Sequence, residues 1–206
     1  MVSLSESAGK LDASGMLGHL RNFPSDLSTA WNQAETWDLK SIESQTYNGV
    51  LCLGMGGSAS GGDFLSCLSD ADGCLPFVTH RGYGLPTWIS EKWLVLATSY
   101  SGNTEETLDS VEAAIELGCT VVGLSSGGHL RTVLEDSNQM WIELPGGQPP
   151  RSAFGHIFGT QIALAWRLGI MSPPENQAEM VKRLAEAVDA CDFIHDDEDD
   201  VVVEMA

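Results

Sequence analysis

Two short stretches concentrate groups that can hold an anion: Gly56-Gly57-Ser58-Ala59-Ser60-Gly61-Gly62 and Ser99-Tyr100-Ser101-Gly102-Asn103-Thr104. Each mixes glycine with hydroxyls, follows an apolar run and leads into a helical pattern. Glycine lets backbone N–H groups close on a ligand with no Cβ in the way. A helix N-terminus adds unpaired N–H donors and partial positive charge, which suits a phosphate dianion. Serine and threonine hydroxyls complete such a cradle as neutral donors. One loop of this kind reads equally well as an ordinary strand-to-helix turn, whereas two on one sheet edge weigh against the plainer reading. Capture of an anion must be local here. The chain carries a formal net charge of −19, and surface charges are screened beyond about 8 Å at physiological salt.

Other motifs compete for the same residues. Gly54-Met55-Gly56-Gly57-Ser58-Ala59 satisfies the dinucleotide fingerprint G-x-G-x-x-A, but the second strand ends in His80-Arg81 where that reading needs an acidic residue. Gly123-Leu124-Ser125-Ser126-Gly127 matches the hydrolase elbow G-x-S-x-G, with Asp136 and His156 following in order. No histidine-glycine oxyanion loop precedes it, and a strand-end turn is the simpler reading. No Gly-Lys-Ser/Thr occurs, which excludes a P-loop. His156 could titrate near neutral pH, although a lone histidine on a helix is more often structural than catalytic.

These loops need a sheet to carry them. Apolar runs at 50–53, 76–79, 93–98, 120–124 and 140–144 read as buried strands. Helical spacing follows between them: a helix at 59–68 with Phe64, Leu65 and Leu68 inward, and one carrying Leu108, Val111 and Ile115 that stops at Gly118. Asn103 and Glu106 are spaced as a capping pair for the latter. Further helices are expected around 16–21, 26–37, 152–168 and 175–190. Apolar strands alternating with helices indicate an α/β fold, a three-layer αβα sandwich over a five-stranded parallel sheet. Ligands in such sheets bind beyond the carboxyl ends of the strands.

Composition narrows the function. With four lysines and no basic stripe, the chain offers nothing to a nucleic-acid backbone or an anionic membrane surface. No run of about 18 apolar residues could span a bilayer. The N-terminus lacks the basic start and apolar core of a signal peptide. Five cysteines (Cys52, Cys67, Cys74, Cys119, Cys191) form no CxxC or Cys/His cluster, so neither zinc nor a disulfide framework is expected and the compartment reads as reducing and cytoplasmic. The acidic run Asp196-Asp197-Glu198-Asp199-Asp200 reads as a solvated tail.

Taken in order, Met55-Gly56-Gly57-Ser58, then Thr98-Ser99-Tyr100-Ser101-Gly102-Asn103-Thr104-Glu105-Glu106-Thr107, then Pro150-Arg151-Ser152-Ala153 resemble the SIS (sugar isomerase) family. Within it the likeness is to bifunctional phosphoglucose/phosphomannose isomerases. Arg81-Gly82-Tyr83-Gly84-Leu85-Pro86 adds to the resemblance, which runs from about Phe23 to Leu168. It implies the SIS fold over 41–172, preceded by an N-terminal arm with helices over 1–40. A C-terminal helix and acidic tail would occupy 173–206, where a second lobe would begin.

The resemblance further implies that Ser58, Ser99, Ser101 and Thr104 hold a sugar phosphate, with Gly57 letting it approach. Arg151 would be the catalytic group that steadies an enediolate as a proton moves between C1 and C2; its plainer reading is a surface salt bridge. The implied reaction converts glucose or mannose 6-phosphate to fructose 6-phosphate, in a homodimer, with no metal or organic cofactor. In the family the carboxylate base and a ring-opening histidine lie on a second lobe, and no glutamate here matches that base by motif. The expectation is therefore a truncated isomerase or a non-catalytic module that binds a hexose phosphate.

Overall fold

The computed structural model of the protein describes residues 9–72 and 75–192. The acidic run 196–200, Cys74 and the first residues of the N-terminal arm lie outside them. Five strands form: β1 Gly49–Leu53, β2 Phe77–His80, β3 Trp93–Thr98, β4 Thr120–Ser125 and β5 Met140–Glu143. All pair in parallel, in the order β2-β1-β3-β4-β5. Successive side chains point to opposite faces, so Val50, Cys52, Leu94, Leu96, Val122 and Leu124 join one core. Leu51, Leu53, Val95, Ala97 and Val121 join the other. Burial on both faces is why these strands read as continuous apolar runs rather than alternating ones.

Eight helices are described: α1 Met16–Arg21, α2 Phe23–Ala34, α3 Lys40–Glu43, α4 Gly57–Asp72, α5 Glu105–Leu117, α6 Gly128–Asp136, α7 Phe154–Arg167 and α8 Gln177–Ala190. Helices α2, α4 and α7 cover the first face, and α5 and α6 cover the second. The expected αβα sandwich is what the chain adopts. Local chemistry sets several ends. Asp12 accepts the Met16 and Leu17 N–H groups at the start of α1. Asn176 Oδ1 accepts the Glu179 N–H at the start of α8. Gly118, at φ 86°, ends α5 in the left-handed conformation where other residues are strained.

Some expectations fail for physical reasons. Helix α2 begins at Phe23, three residues early, because Pro24 is well placed in a first turn. Phe64 and Leu68 do not point inward; they are 54% and 41% exposed. Leu65 does point inward, and the rest of the buried stripe of α4 runs through Ser58, Gly62 and Ser69, small residues that let the helix sit close to the sheet. The Asn103–Glu106 capping pair is not made, since Asn103 Oδ1 accepts the His129 N–H and Thr104 takes the N-cap position. Helix α6 was not foreseen; it opens on Gly128 and is amphipathic over only nine residues.

Helices α2 and α7 lie unusually close. A Cβ on Gly155 would come within 2.9 Å of Asp26 Cβ, and one on Gly159 within 2.9 Å of Ala30 Cβ. This approach buries an acid–base pair: His156 is 6% and Asp26 9% exposed, with Nε2 3.3 Å from Oδ1. The contact puts the ring proton on Nε2 and leaves Nδ1 buried without a partner. Burial pushes the His156 pKa below its ordinary value, while the Asp26 carboxylate pulls it the other way. The unfolded chain takes up this proton near pH 6.5 and the folded chain resists it. Stability is therefore complete above that pH and falls as pH drops toward the depressed folded value. His156→Gln keeps a donor to Asp26 and should flatten this loss below about pH 6.5, as urea melts at falling pH would report.

Candidate functional site

In a sheet of order 2-1-3-4-5 the chain reverses its direction of winding between β1 and β3, and a crevice opens there at the strand carboxyl ends. Both hydroxyl loops leave these two strands. They also touch: the Tyr100 N–H donates to Ser58 Oγ across 3.3 Å. The loop after β4 braces the assembly from the far side. Ser126 donates its N–H and its hydroxyl to Tyr100 O at 2.9 and 2.7 Å, and the Leu130 N–H donates to Gly102 O at 2.8 Å.

The expected site residues occupy different depths. Ser58 is buried in the first turn of α4 and accepts from the neighbouring loop. Ser99 is fully buried, with Oγ 2.9 Å from Thr104 Oγ1, so one of the two hydroxyls donates to the other. Ser101 is exposed at the loop crest, its Oγ accepting the Asn103 N–H at 3.3 Å. Thr104 caps α5 by position but makes no side-chain capping bond, which leaves the N–H groups of that first turn without a side-chain acceptor. Glu105 and Glu106 stand in the same turn and would repel an anion, but the Glu105 carboxylate is turned toward the Tyr83 hydroxyl, 3.5 Å away.

Gly57 faces a third segment, residues 145–152, which joins β5 to α7. A Cβ on Gly57 would stand 3.6 Å from Arg151 Cα and 3.7 Å from Pro150 O. Gly57, Ser60, Arg151 and Ser152 line a cleft of about 450 Å³ together with Phe23, Phe64 and Phe154; Ser58, Ser99, Ser101 and Thr104 are not among its lining residues. Arg151 makes no ion pair or hydrogen bond with any described residue. Every other arginine does: Arg21 with Asp192, Arg81 with Asp63, Arg131 with Glu135, Arg167 with the Ala34 carbonyl, and Arg183 with Glu179. In so acidic a chain, an unpaired guanidinium in a cleft is the exception.

A larger cavity of about 970 Å³ lies between α2, α4, α7 and α8. Its walls are almost wholly aromatic and aliphatic, and the arginine at its rim, Arg183, is held by Glu179. A phosphate would find there only a guanidinium already paired with a carboxylate and the Ser172 hydroxyl, so the smaller cleft, with the unpaired Arg151, is the candidate site. Among the described residues no group of three or more His, Cys, Asp or Glu could hold a metal ion, and no helix is long and apolar enough to cross a membrane.

The rival motifs are used up by structure. Ser125 is buried, donates to Gly127 O at 2.7 Å and accepts from Trp141 Nε1 at 2.8 Å, while His156 faces Asp26; no hydrolase triad is assembled. At the dinucleotide position Arg81 pairs with Asp63. The sequence did not disclose the contacts of Gln148, which sits between Gly146-Gly147 and Pro149-Pro150 and bonds both Tyr100 and Asp26. Its place in a glycine-proline loop was the one available hint.

No family model matches the chain. A bifunctional phosphoglucose/phosphomannose isomerase of Caldicellulosiruptor bescii is 33% identical over 165 residues, covering 80% of this chain and 48% of that protein. Its namesake from Thermoplasma acidophilum is 35% identical over 139 residues, or 68% of this chain and 42% of that protein. The chain thus spans about half the length of the curated relatives it matches. Among solved structures, the tagatose-6-phosphate ketose/aldose isomerase from Escherichia coli shares the fold at a TM-score of 0.64 and 17% identity, covering 84% of this chain and 52% of that one. Similarity of sequence to the first two and of fold to the third make this chain a member of the SIS (sugar isomerase) family.

Proposed function

We propose that the chain binds a hexose 6-phosphate and supplies the anchoring half of an aldose–ketose isomerase that converts glucose or mannose 6-phosphate to fructose 6-phosphate. The observation that carries the reading is Arg151, unpaired in a cleft with Gly57 and Ser60 of the first hydroxyl loop, which the Tyr100–Ser58 bond joins to the second at the switch point of the sheet. Ser101, Thr104 and the first-turn N–H groups of α5 take the monoester, with Ser58 and Ser99 fixing the loops from beneath. Gly57 keeps the approach open. The sugar then extends toward Arg151. In the reaction a base takes the proton from C2 of the aldose, an enediolate forms, and the proton returns to C1. A fixed guanidinium at those carbons acts where negative charge develops and so lowers the barrier. In this reading the base comes from the part of such an enzyme that this chain does not span, and the working unit is a homodimer, which sedimentation across concentrations checks.

A second reading has an observation of its own. Among the described residues no carboxylate lines the cleft, so the same residues would serve a module that binds a sugar phosphate without turning it over. Assay for glucose 6-phosphate turnover in a form that also carries a base-bearing second lobe separates the two. Both readings share one test of the anchor. Ser101→Ala combined with Thr104→Val is expected to weaken fructose 6-phosphate about thirtyfold, the exposure of Ser101 keeping the loss below that of two buried bonds. Titration followed by tryptophan fluorescence measures it, and unchanged affinity removes the anchor from these loops.

A further inference from the structure

Arg151 has no side-chain partner, so its direction is set by its backbone. That backbone belongs to residues 145–152, a segment with glycine at 146 and 147 and proline at 149 and 150. Pro149 and Pro150 stiffen one half, Gly147 adopts φ 91°, and the turn is closed by Ser152, whose N–H and hydroxyl both donate to Pro149 O at 2.9 Å. A stiff turn on a pliant glycine pair needs an external hold to be aimed. Gln148, between the two halves, has two. Its N–H donates to the Tyr100 hydroxyl at 3.2 Å, and that hydroxyl donates to Pro145 O at 2.8 Å. Its side-chain Nε2 donates to Asp26 Oδ2 at 3.3 Å, while Asp26 Oδ1 accepts from the His156 Nε2–H.

We infer that Gln148 is a positioning residue, holding the segment 145–152 so that Arg151 faces the cleft; this rests on the reading of Arg151 given above. The tether ties the segment to the two bodies that matter. Tyr100 belongs to the hydroxyl loop and its own N–H bonds Ser58, so one residue links the anchor loops to the arginine segment. Asp26 holds both the middle of the segment and, through His156, the first turn of the helix that follows it. Gln148 Oε1 is buried without a partner, so the amide is kept in place by what its nitrogen does. The contact is not needed to dock α2 on α7. That interface is made by Gly155 and Gly159 against Asp26, Leu27 and Ala30, none of which depends on Gln148.

Gln148→Met keeps the length and loses the donor. In hydrogen–deuterium exchange it is expected to speed exchange in 145–153 about tenfold, with the α2 and α7 peptides and the melting temperature essentially unchanged. Affinity for arabinonate 5-phosphate, whose carboxylate stands in for the enediolate, should fall about tenfold in the parent chain but less than about twofold in an Arg151→Ala background. Tyr100→Phe, which removes the other hold, should repeat this signature. Equal losses in both backgrounds, unchanged exchange, or exchange rising throughout with a collapsed melting temperature would each overturn the inference and make Gln148 a plain strut. If the parent binds neither arabinonate 5-phosphate nor fructose 6-phosphate, the proposed site fails, and exchange in 145–153 alone decides the tether.

Discussion

Arg151→Ala is expected to weaken arabinonate 5-phosphate about a hundredfold, equivalent to about 2.7 kcal/mol, while fructose 6-phosphate loses less than about tenfold. The asymmetry follows from where charge sits. Both ligands carry the monoester, which in the proposed site is held by Ser101, Thr104 and the start of α5, so both would keep that energy. Only the sugar acid places a carboxylate where the enediolate oxygen would form, and in the proposed pose only that group would meet the guanidinium. Removing one partner of a charged contact in a cleft usually costs about 2–5 kcal/mol, and the exposure of the unliganded arginine argues for the lower end. Arg151→Lys keeps the charge but not the planar fork and should fall between the two. In a form that turns over glucose 6-phosphate, kcat should drop far more than KM rises. Calorimetry with both ligands decides the matter: equal losses would make Arg151 a ground-state phosphate contact and remove its part in the chemistry.

How much of this was legible depends on whether the cause is local. Strands buried on both faces announce themselves, and the runs around Val50–Leu53 and Trp93–Thr98 lie where their residues placed them. The hydroxyl loops were visible for the same reason, being punctuation between apolar and helical stretches. Helix α4 misled because hydrophobicity is a poor guide when the buried face is made of small residues: Gly62 approaches Cys52 and Thr79, and the larger Phe64 and Leu68 are left outside. Helix α6 escaped because its Gly127-Gly128 start reads as a turn. What no local pattern encodes is pairing across long separations. Asp26 meets His156 and Gln148 from more than a hundred positions away, and Ser58 meets Tyr100 from 42. The roles of these residues come from that pairing, and so they appear only in three dimensions.

Gly102→Ala should do the most damage of any single methyl added to the site. Gly102 has φ 71°, and a Cβ there would fall 1.8 Å from Gly127 O and 3.0 Å from Gly128 Cα. Gly128, at φ 74°, returns the contact: its own Cβ would meet Ser101 O at 2.3 Å. These two loops therefore lie backbone against backbone, and neither neighbour is a flexible side chain that can swing away. The strained torsion costs roughly 1 kcal/mol and the forced separation of the β3 and β4 loops more, about 3 kcal/mol in total. For a chain of this size that is a fall in melting temperature of roughly 10 °C. Gly84→Ala separates the two causes, since Gly84 has φ 65° with open space around it and should lose only the torsional part. Binding should follow the collision rather than the torsion. The Leu130 N–H to Gly102 O bond must lengthen or break, shifting Ser101 and Thr104 away from the start of α5. Fructose 6-phosphate affinity is then lost in Gly102→Ala and retained in Gly84→Ala, even at a temperature where both variants are folded. A Gly102→Ala chain that binds like its parent would mean the crest of the β3 loop does not hold the phosphate.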